Sequence, residues 1–294
     1  MAERVETVVI GAGQAGLAAS YWLTQHGRDH VVLERGRIGE TWRSQRCDGF
    51  FLNTPNWGQQ LPGFHYSGAE PDAFAPLGEV IGYLEDYGAS FSAPVRENAD
   101  VSRVRRRADG FSLETPRGEL DADNVVVAAG AYQVPTPGRL SRQLSERVLR
   151  LHTSEYRRPN QLPDGGVLIV GSGQSGCQIA DELLRAGRDV YVSVGLCPWL
   201  PRRYRGRELL HWLLETGIAE DSVTRLLSPA ARLACNPPVS GNDGGHDCHP
   251  RWLADRGATL LGRVEAVEDE VVHLGDGLEE SLANGDEFVT DYRR

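Results

Sequence analysis

The sequence predicts an α/β protein made of two copies of one strand, glycine loop and helix unit, each at the centre of a parallel sheet. The first copy also carries a small antiparallel β-meander. Three observations carry this prediction. An apolar run, Val8 to Ile10, leads straight into Gly11, Gly13 and Gly16. The same arrangement returns 160 residues later, GAGQAG against GSGQSG and GRDHVVLERG against GRDVYVSVG, a repeat too direct to be fortuitous. Between the copies, from Asp100 to Ala129, short alternating segments are separated by turn residues.

In chain order, Val8, Val9 and Ile10 form the run that a fully buried parallel strand needs. Ala15 to His26 follows as a helix, with Leu17, Tyr21 and either Trp22 or Leu23 spaced for one buried face, and Gly27 ends it. His30 to Leu33 is the next strand and sets Glu34 at its tip, 23 residues after Gly11. This is the dinucleotide-binding pattern, and each part has a physical reason. Gly11 makes the tight turn, Gly13 lets backbone N–H groups approach a pyrophosphate, and Gly16 lets helix pack on strand. The helix N-terminus favours the anion, and Glu34 accepts hydrogen bonds from ribose hydroxyls. The stretch after Arg35, rich in Gly, Pro, Trp and Asn, reads as an ordered loop with short helical or strand pieces. Phe74 to Phe91 reads as a helix around Val80, Ile81, Leu84 and Tyr87. Three meander segments follow, VSRVRRR, FSLETP and GELDA, turning at Asp109-Gly110 and at Pro116-Arg117-Gly118, and then a buried strand, NVVVAA. The arginines at 103, 105, 106 and 107 fit a solvated strand face.

Pro135, Pro137 and Gly138 break the chain and set the expected organisation: a first domain over 1–138, a linker over 139–163 and a second domain over 164–294. In the second copy, Val167 to Val170 is the strand, Gly171, Gly173 and Gly176 are the glycines, and Gln174 to Ala186 is the helix. The position equivalent to Glu34 falls at Ser193 or Val194, so this strand tip carries no carboxylate. A carboxylate about 4 Å from a unit of phosphate charge would cost about 4 kcal/mol at an effective dielectric of 20. Its absence leaves room for a 2'-phosphate, and Arg202, Arg203, Arg205 and Arg207 lie just downstream, which favours NADPH over NADH. In the last third, HWLLETGIAEDSVTRLL reads as helix and ATLLGRVEAVEDEVVHL as paired strands.

Composition excludes several classes. A net charge of −10 argues against nucleic acid as a partner, and all 31 basic residues are arginine. Five scattered cysteines, Cys47, Cys177, Cys197, Cys235 and Cys248, suggest no disulfide framework and fit a reducing cytoplasm. The first residues run directly into a strand without a signal peptide, and no apolar run reaches the roughly 18 residues of a membrane span. Cys235, His246, Cys248 and His249 cluster, but their spacing fits no metal site, so no metal is expected.

Two dinucleotide fingerprints, one with an acid and one without, resemble the flavin-dependent two-dinucleotide oxidoreductases. Other segments narrow the resemblance to the class B flavin monooxygenases. ERGRIGETW, from Glu34 to Trp42, is similar to the family's E-R-x(4)-G-x-x-W with one residue fewer between Arg35 and Gly39, and Asn53-Thr54-Pro55 to its N-x-P element. VVVAAGAYQVPTP resembles the A-T-G strand end, with Ala129 in place of threonine, and HTSEYR resembles the second half of the F-x-G-x(3)-H-x(3)-F/Y signature. The first half of that signature fails, with Glu146 and Val148 where Phe and Gly are expected.

The resemblance implies FAD on Gly11, Gly13, Gln14, Ala15, Gly16, Glu34 and Arg35, with Thr41, Trp42 and Ala129 close by and Asn53 acting at the flavin edge. It implies NADPH on Gly171, Gly173, Gln174, Ser175 and Gly176 and on some of Arg202, Arg203 and Arg205. The implied reaction passes a hydride from NADPH to FAD and forms a C4a-hydroperoxyflavin with O2, which oxygenates a small organic substrate. His152 and Tyr156 read as interdomain packing. Family members return from the NADPH domain to the FAD domain, whereas this sequence stops at FVTDYRR; it is a fragment, or a shortened protein with altered function. The alternatives are a truncated, non-catalytic FAD/NADP-binding protein and a flavin or disulfide reductase. The disulfide reductase needs a C-x-x-C pair that the sequence lacks.

Overall fold

The computed structural model describes residues 3–132, 134–196, 198–220, 222–225, 237–268 and 271–292. Cys197 and Cys235 lie outside the described residues, so the cysteine and metal readings that involve them do too. The chain divides into two compact units, Met1–Thr136 and Pro137–Arg294.

The first unit is built on β1 (Glu3–Ile10), α1 (Gln14–Gln25) and β2 (His30–Leu33), the βαβ start that the sequence predicts. There follow α2 (Glu40–Gln45), the small hairpin β3 (Gln60–Leu61) and β4 (Phe64–His65), α3 (Leu77–Ser90), and the two-residue strand β5 (Val95–Arg96). Strands β6 (Arg103–Arg107), β7 (Gly110–Thr115) and β8 (Gly118–Val127) complete one sheet in the order β5-β2-β1-β8-β7-β6. The first four of these strands are parallel, while β7 and β6 add on antiparallel.

Alternation along β1 and β2 decides the packing. Val9 and Val32 face α1 and α3 and pack with Leu17, Leu84 and Tyr87. Val8, Val31 and Leu33 face the other way, onto Ala99, Leu113, Leu120 and Ala122. At the α1 position that the sequence leaves open, Leu23 packs against the core, and Trp22 is 54% exposed. GELDA and NVVVAA, separate strands by pattern, are one strand, β8. It pairs with β1 from Glu3↔Leu120 to Ile10↔Val127, so the polar residues at 123 and 124 stay within the ladder. Strand β6 is exposed throughout, and its arginines meet facing acids, Arg105 with Glu114 at 2.7 Å and Arg107 with Glu119 at 2.5 Å.

The second unit repeats the theme with β9 (Val167–Val170), α4 (Gln174–Arg185) and β10 (Val190–Ser193). After the hairpin β11 (Arg203–Tyr204) and β12 (Arg207–Glu208) comes α5 (Leu209–Glu215). This helix is shorter than the sequence suggests, because Gly217 takes a left-handed φ of +73° and ends the run. Hairpin β13 (Val239–Ser240) and β14 (His246–Asp247), α6 (Pro250–Ala254) and β15 (Thr259–Leu261) follow. Strand β15 lies parallel to β10 in a sheet ordered β15-β10-β9; the expected pairing is confined to β16 (Val264–Glu268) and β17 (Val271–Leu274). Helix α7 (Leu278–Tyr292) follows, with Gly285 closely facing the Trp199 indole. Among the described residues no helix is long and apolar enough to cross a membrane.

Candidate dinucleotide sites

Each glycine of the first loop has its own reason. Gly11 turns at φ +104°, its N–H bonded to Leu33 O at 2.8 Å, and a Cβ there would lie 2.6 Å from Ala128 O. A Cβ on Gly16 would lie 1.8 Å from Gly11 O. Gly13 differs: it has ordinary extended backbone at φ −85°, and a Cβ would meet nothing within 4 Å. Two glycines therefore serve packing, and the third faces open space at the N-terminus of α1. The first-turn amides of Gln14, Ala15 and Gly16 have no intrahelical acceptor by helix geometry, and they point the same way.

Glu34 closes this loop. It is 6% exposed, and its carboxylate accepts from Ala12 N at 2.7 Å and Gly36 N at 3.0 Å. Its own N–H bonds Arg96 O, so the two-residue strand β5 fixes the tip. Arg35 beside it is exposed. The chain then arches back, and Gly39, at φ +71°, donates to Ala12 O at 3.1 Å. That bond brings α2, with Thr41 and Trp42, beside the loop. Trp42 lies 5.7 Å from Phe50, and the Arg46 guanidinium is 5.1 Å above its ring. Burial lowers the pKa of Arg46.

Residues 50–56 are pinned along 73–77 by Leu52 N to Ala75 O at 2.8 Å, Asn56 N to Ala73 O at 2.8 Å and Leu77 N to Phe50 O at 3.0 Å. Half-buried Asn53 sits in this segment. Its neighbour Asn56 is 3% exposed, donates to Glu70 O and accepts from Gln59 Nε2, both at 3.0 Å. Sequence reading missed Asn56, because an asparagine beside a proline looks like any turn. Ala129 follows Ala128, whose N–H bonds Ile10 O at 2.9 Å, so this strand end lies against the glycine loop.

The second loop repeats the packing at Gly176 but not at Gly171, which turns at φ +108° with nothing within 4 Å of a Cβ. A Cβ on Gly176 would lie 2.2 Å from Gly171 O, while Gly173, at φ −76°, again faces open space. Gly171 N bonds Ser193 O as Gly11 N bonds Leu33 O, so the residue in the place of Glu34 is Val194, 1% exposed. The closing contact is reversed in origin. Ser172, in the place of Ala12, accepts from Gly195 N at 3.2 Å through its hydroxyl. Ser193 Oγ is internal, donating to Gly262 O at 3.0 Å and accepting from Val264 N at 3.2 Å.

The remaining residues fall in different surroundings. Ser175 is exposed. The Gln174 side chain lies on the Val239 backbone. Arg202 is 3% exposed beside Glu208, Nε to Oε2 3.3 Å, and its pKa is lowered by burial first, against the opposing pull of Glu208. Arg203 meets Glu208 at 3.0 Å and donates to the carbonyls of Gly244 and Gly245. Arg207 is paired with Glu215 at 2.5 Å. Arg205 is at the hairpin tip, exposed, at φ +50°, with its guanidinium 5.1 Å from the Tyr204 ring. His152 bonds Ser154 Oγ at 2.8 Å, and Tyr156 is 4% exposed. His246 stacks on Trp252, with ring centroids 4.5 Å apart, and Cys248 is wholly buried, its thiol pKa pushed up by burial.

The family model described as pyridine nucleotide-disulphide oxidoreductase matches residues 8–213, a span that takes in both glycine loops. The chain belongs to that family. It is 32% identical over 293 residues to an uncharacterized CzcO-like oxidoreductase of Geobacillus kaustophilus, covering 98% of this chain and 82% of the relative. It is 31% identical to the indole-3-pyruvate monooxygenase YUCCA1 of Oryza sativa subsp. japonica, covering 82% of this chain and 61% of that one. Among solved structures, a flavin-containing monooxygenase from Stenotrophomonas maltophilia superposes with a TM-score of 0.61 at 22% identity, over 94% of this chain and 86% of the other. The family resemblance and the fold class expected from the sequence therefore stand, and the chain is an oxidoreductase of the two-dinucleotide kind.

Proposed function

We propose that this chain is an NADPH-dependent flavoprotein monooxygenase acting with O2 on a small organic substrate, with FAD on the first unit and NADPH on the second. The observation that carries the reading is the pair of open N-terminal helix mouths with unlike strand tips, Glu34 in one and Val194 in the other. Both mouths suit a pyrophosphate: each offers first-turn amides, the helix dipole, and a glycine whose missing side chain leaves space. Glu34 keeps both oxygens at the first mouth and accepts ribose hydroxyls there, which suits an adenosine without a 2'-phosphate. The second tip is uncharged and accommodates one.

When bound, FAD supplies the redox and oxygen chemistry. The chain holds, orients and shields. Trp42, beside the first loop, lies against Phe50 of the pinned 50–56 segment, and Asn53 of that segment would donate its amide toward the flavin edge. Of the arginines expected at the 2'-phosphate, Arg205 is the one whose surroundings suit the role, because Arg202 and Arg203 are committed to Glu208.

The test is a visible absorption spectrum of the purified protein before and after FAD, then after NADPH in air, with oxygen uptake recorded. The expected result is a flavin band that bleaches with NADPH and returns as oxygen is consumed. Protein that takes up no FAD, or that oxidises NADPH without taking up oxygen, overturns the proposal.

A further inference from the structure

Helix α4 carries a polar stripe at Gln174, Gln178, Asp181 and Arg185, spacings of four, three and four that put all four on one face. A solvated face is the ordinary meaning of such a stripe. Here it is a seam. The Gln174 side chain bonds both polar groups of one residue, donating from Nε2 to Val239 O and accepting from Val239 N at 3.2 Å through Oε1. Its amide thus takes the part of a neighbouring strand for β13. Gln178 Nε2 approaches the same carbonyl at 3.4 Å. Two turns further on, Asp181, 1% exposed, holds Arg185 at 2.9 Å, and Arg185 reaches Asp243 at 2.7 Å and His246 Nε2 at 2.8 Å. The far side of the hairpin is tied as well: Arg203 donates to Gly244 and Gly245, and Asp247 accepts from Arg202 N at 2.5 Å.

Gln174 is the first residue of α4, directly after Gly173, which faces open space. The residue bonded by its side chain therefore lies beside the mouth. We propose that Gln174 is a positioning residue that straps the 239–247 hairpin over the N-terminus of α4, making the hairpin one wall of the nicotinamide-nucleotide site. The inference rests on the assignment of NADPH to this unit. It also separates the duplicated motifs: Gln14, at the same place in the first loop, is exposed, so one motif serves two ends. Because the hairpin is held on α4 by hydrogen bonds, its attachment depends on the donor and acceptor pattern at residue 174.

A glutamate at this place has no N–H and sets a carboxylate against Val239 O; once protonated, it again has one donor and one acceptor. The experiment uses the FAD-loaded full chain and three forms: wild type, Gln174→Ala and Gln174→Glu. NADP+ affinity is measured by calorimetry, and amide exchange over 237–247 by mass spectrometry. In the wild type, NADP+ slows exchange of the hairpin. In Gln174→Ala, hairpin exchange rises at least tenfold and NADP+ binds about tenfold more weakly, the scale of one lost hydrogen-bonded contact, with FAD content unchanged. Gln174→Glu behaves like the alanine variant at pH 8 and regains affinity relative to wild type at the same pH as the pH falls toward about 4.5, where a glutamate begins to protonate, a rescue that simple misfolding does not give. A looser hairpin with unaltered NADP+ affinity overturns the inference, as do unaltered hairpin exchange, a fall in FAD content, or NADP+ binding that leaves hairpin exchange untouched. Wild-type protein that binds no NADP+ overturns the assignment of NADPH itself, and this inference with it.

Discussion

Alanine at Gly13 and alanine at Gly16 are the same chemical change three residues apart, and the structure assigns them opposite consequences. At Gly13 the new methyl group has ordinary backbone and nothing within 4 Å. The apoprotein then loses only what alanine costs at an N-cap, at most about 1 kcal/mol. That methyl group projects to where the pyrophosphate approaches, and displacing one or two amide contacts to a charged oxygen, about 1.5–3 kcal/mol each, weakens FAD by about 10- to 10⁴-fold. At Gly16 the methyl group is 1.8 Å from Gly11 O, which is backbone and gives way only if α1 lifts from the sheet. That overpacking costs about 1–3 kcal/mol or more, with or without cofactor. The assays are thermal unfolding of each apoprotein and FAD titration by flavin fluorescence. Gly13→Ala is expected to melt close to wild type and fail to hold FAD, while Gly16→Ala melts early. Wild-type FAD affinity in Gly13→Ala, or equal losses of melting temperature in the two variants, would refute the division of labour.

Other expectations follow from particular contacts. Glu34→Ala leaves the amides of Ala12 and Gly36 without their acceptor, so the apoprotein should lose about 1–3 kcal/mol in urea unfolding as well as FAD affinity; a variant as stable as wild type would show that Glu34 serves only the ligand. Arg202→Ala removes a buried partner of Glu208 and should destabilise the second unit by about 3 kcal/mol, whereas Arg205→Ala should leave unfolding unchanged and raise the KM for NADPH but not for NADH; the reverse pattern would reassign both residues. The Tyr87 hydroxyl, bonded to Pro62 O, is pushed up from 10.0 to about 12 by burial, with Tyr21 and Tyr83 adding to it. Its unfolded form ionises near pH 10, so the stability it supports is complete below that pH and drains away as pH rises toward about 12. Unfolding free energies between pH 9 and 11.5 should fall more steeply for wild type than for Tyr87→Phe, and parallel slopes would remove the assignment.

Both glycine loops were legible in the sequence because three local constraints, an apolar strand, a turn open only to glycine and a helix start, fall within a dozen residues, although only β1 is buried and β9 leaves Leu168 and Val170 exposed. The first mouth was legible to Glu34 for the same reason. Strand β5 was not, since two residues leave no period to detect, yet its Arg96 carbonyl fixes the backbone of Glu34. The unity of β8 was hidden because its polar middle is tolerated by pairing with β1, a partner more than a hundred residues away. The arginine segment reads as one cluster by composition, but its members divide by tertiary partners: Glu208 takes Arg202 and Arg203, Glu215 takes Arg207, and Arg205 is left at the tip. The glutamine of GSGQSG gave no hint of its strap either, because Val239 is 65 residues on.

The pairing of β1 with β8 also sets an order of events in synthesis. Strand β1 emerges before the other five strands of its sheet, and its second neighbour β8, paired from Leu120 opposite Glu3, is translated last among the six. Until then the βαβ start has an open edge, and the seat of Gly11 against Ala128 does not exist. Such long-separation pairing is slow to form and leaves an unpaired strand exposed. Cofactor loading therefore waits on the ribosome: a nascent chain arrested before Ala128 should bind no flavin, and one arrested after the first unit has cleared the exit tunnel should bind it.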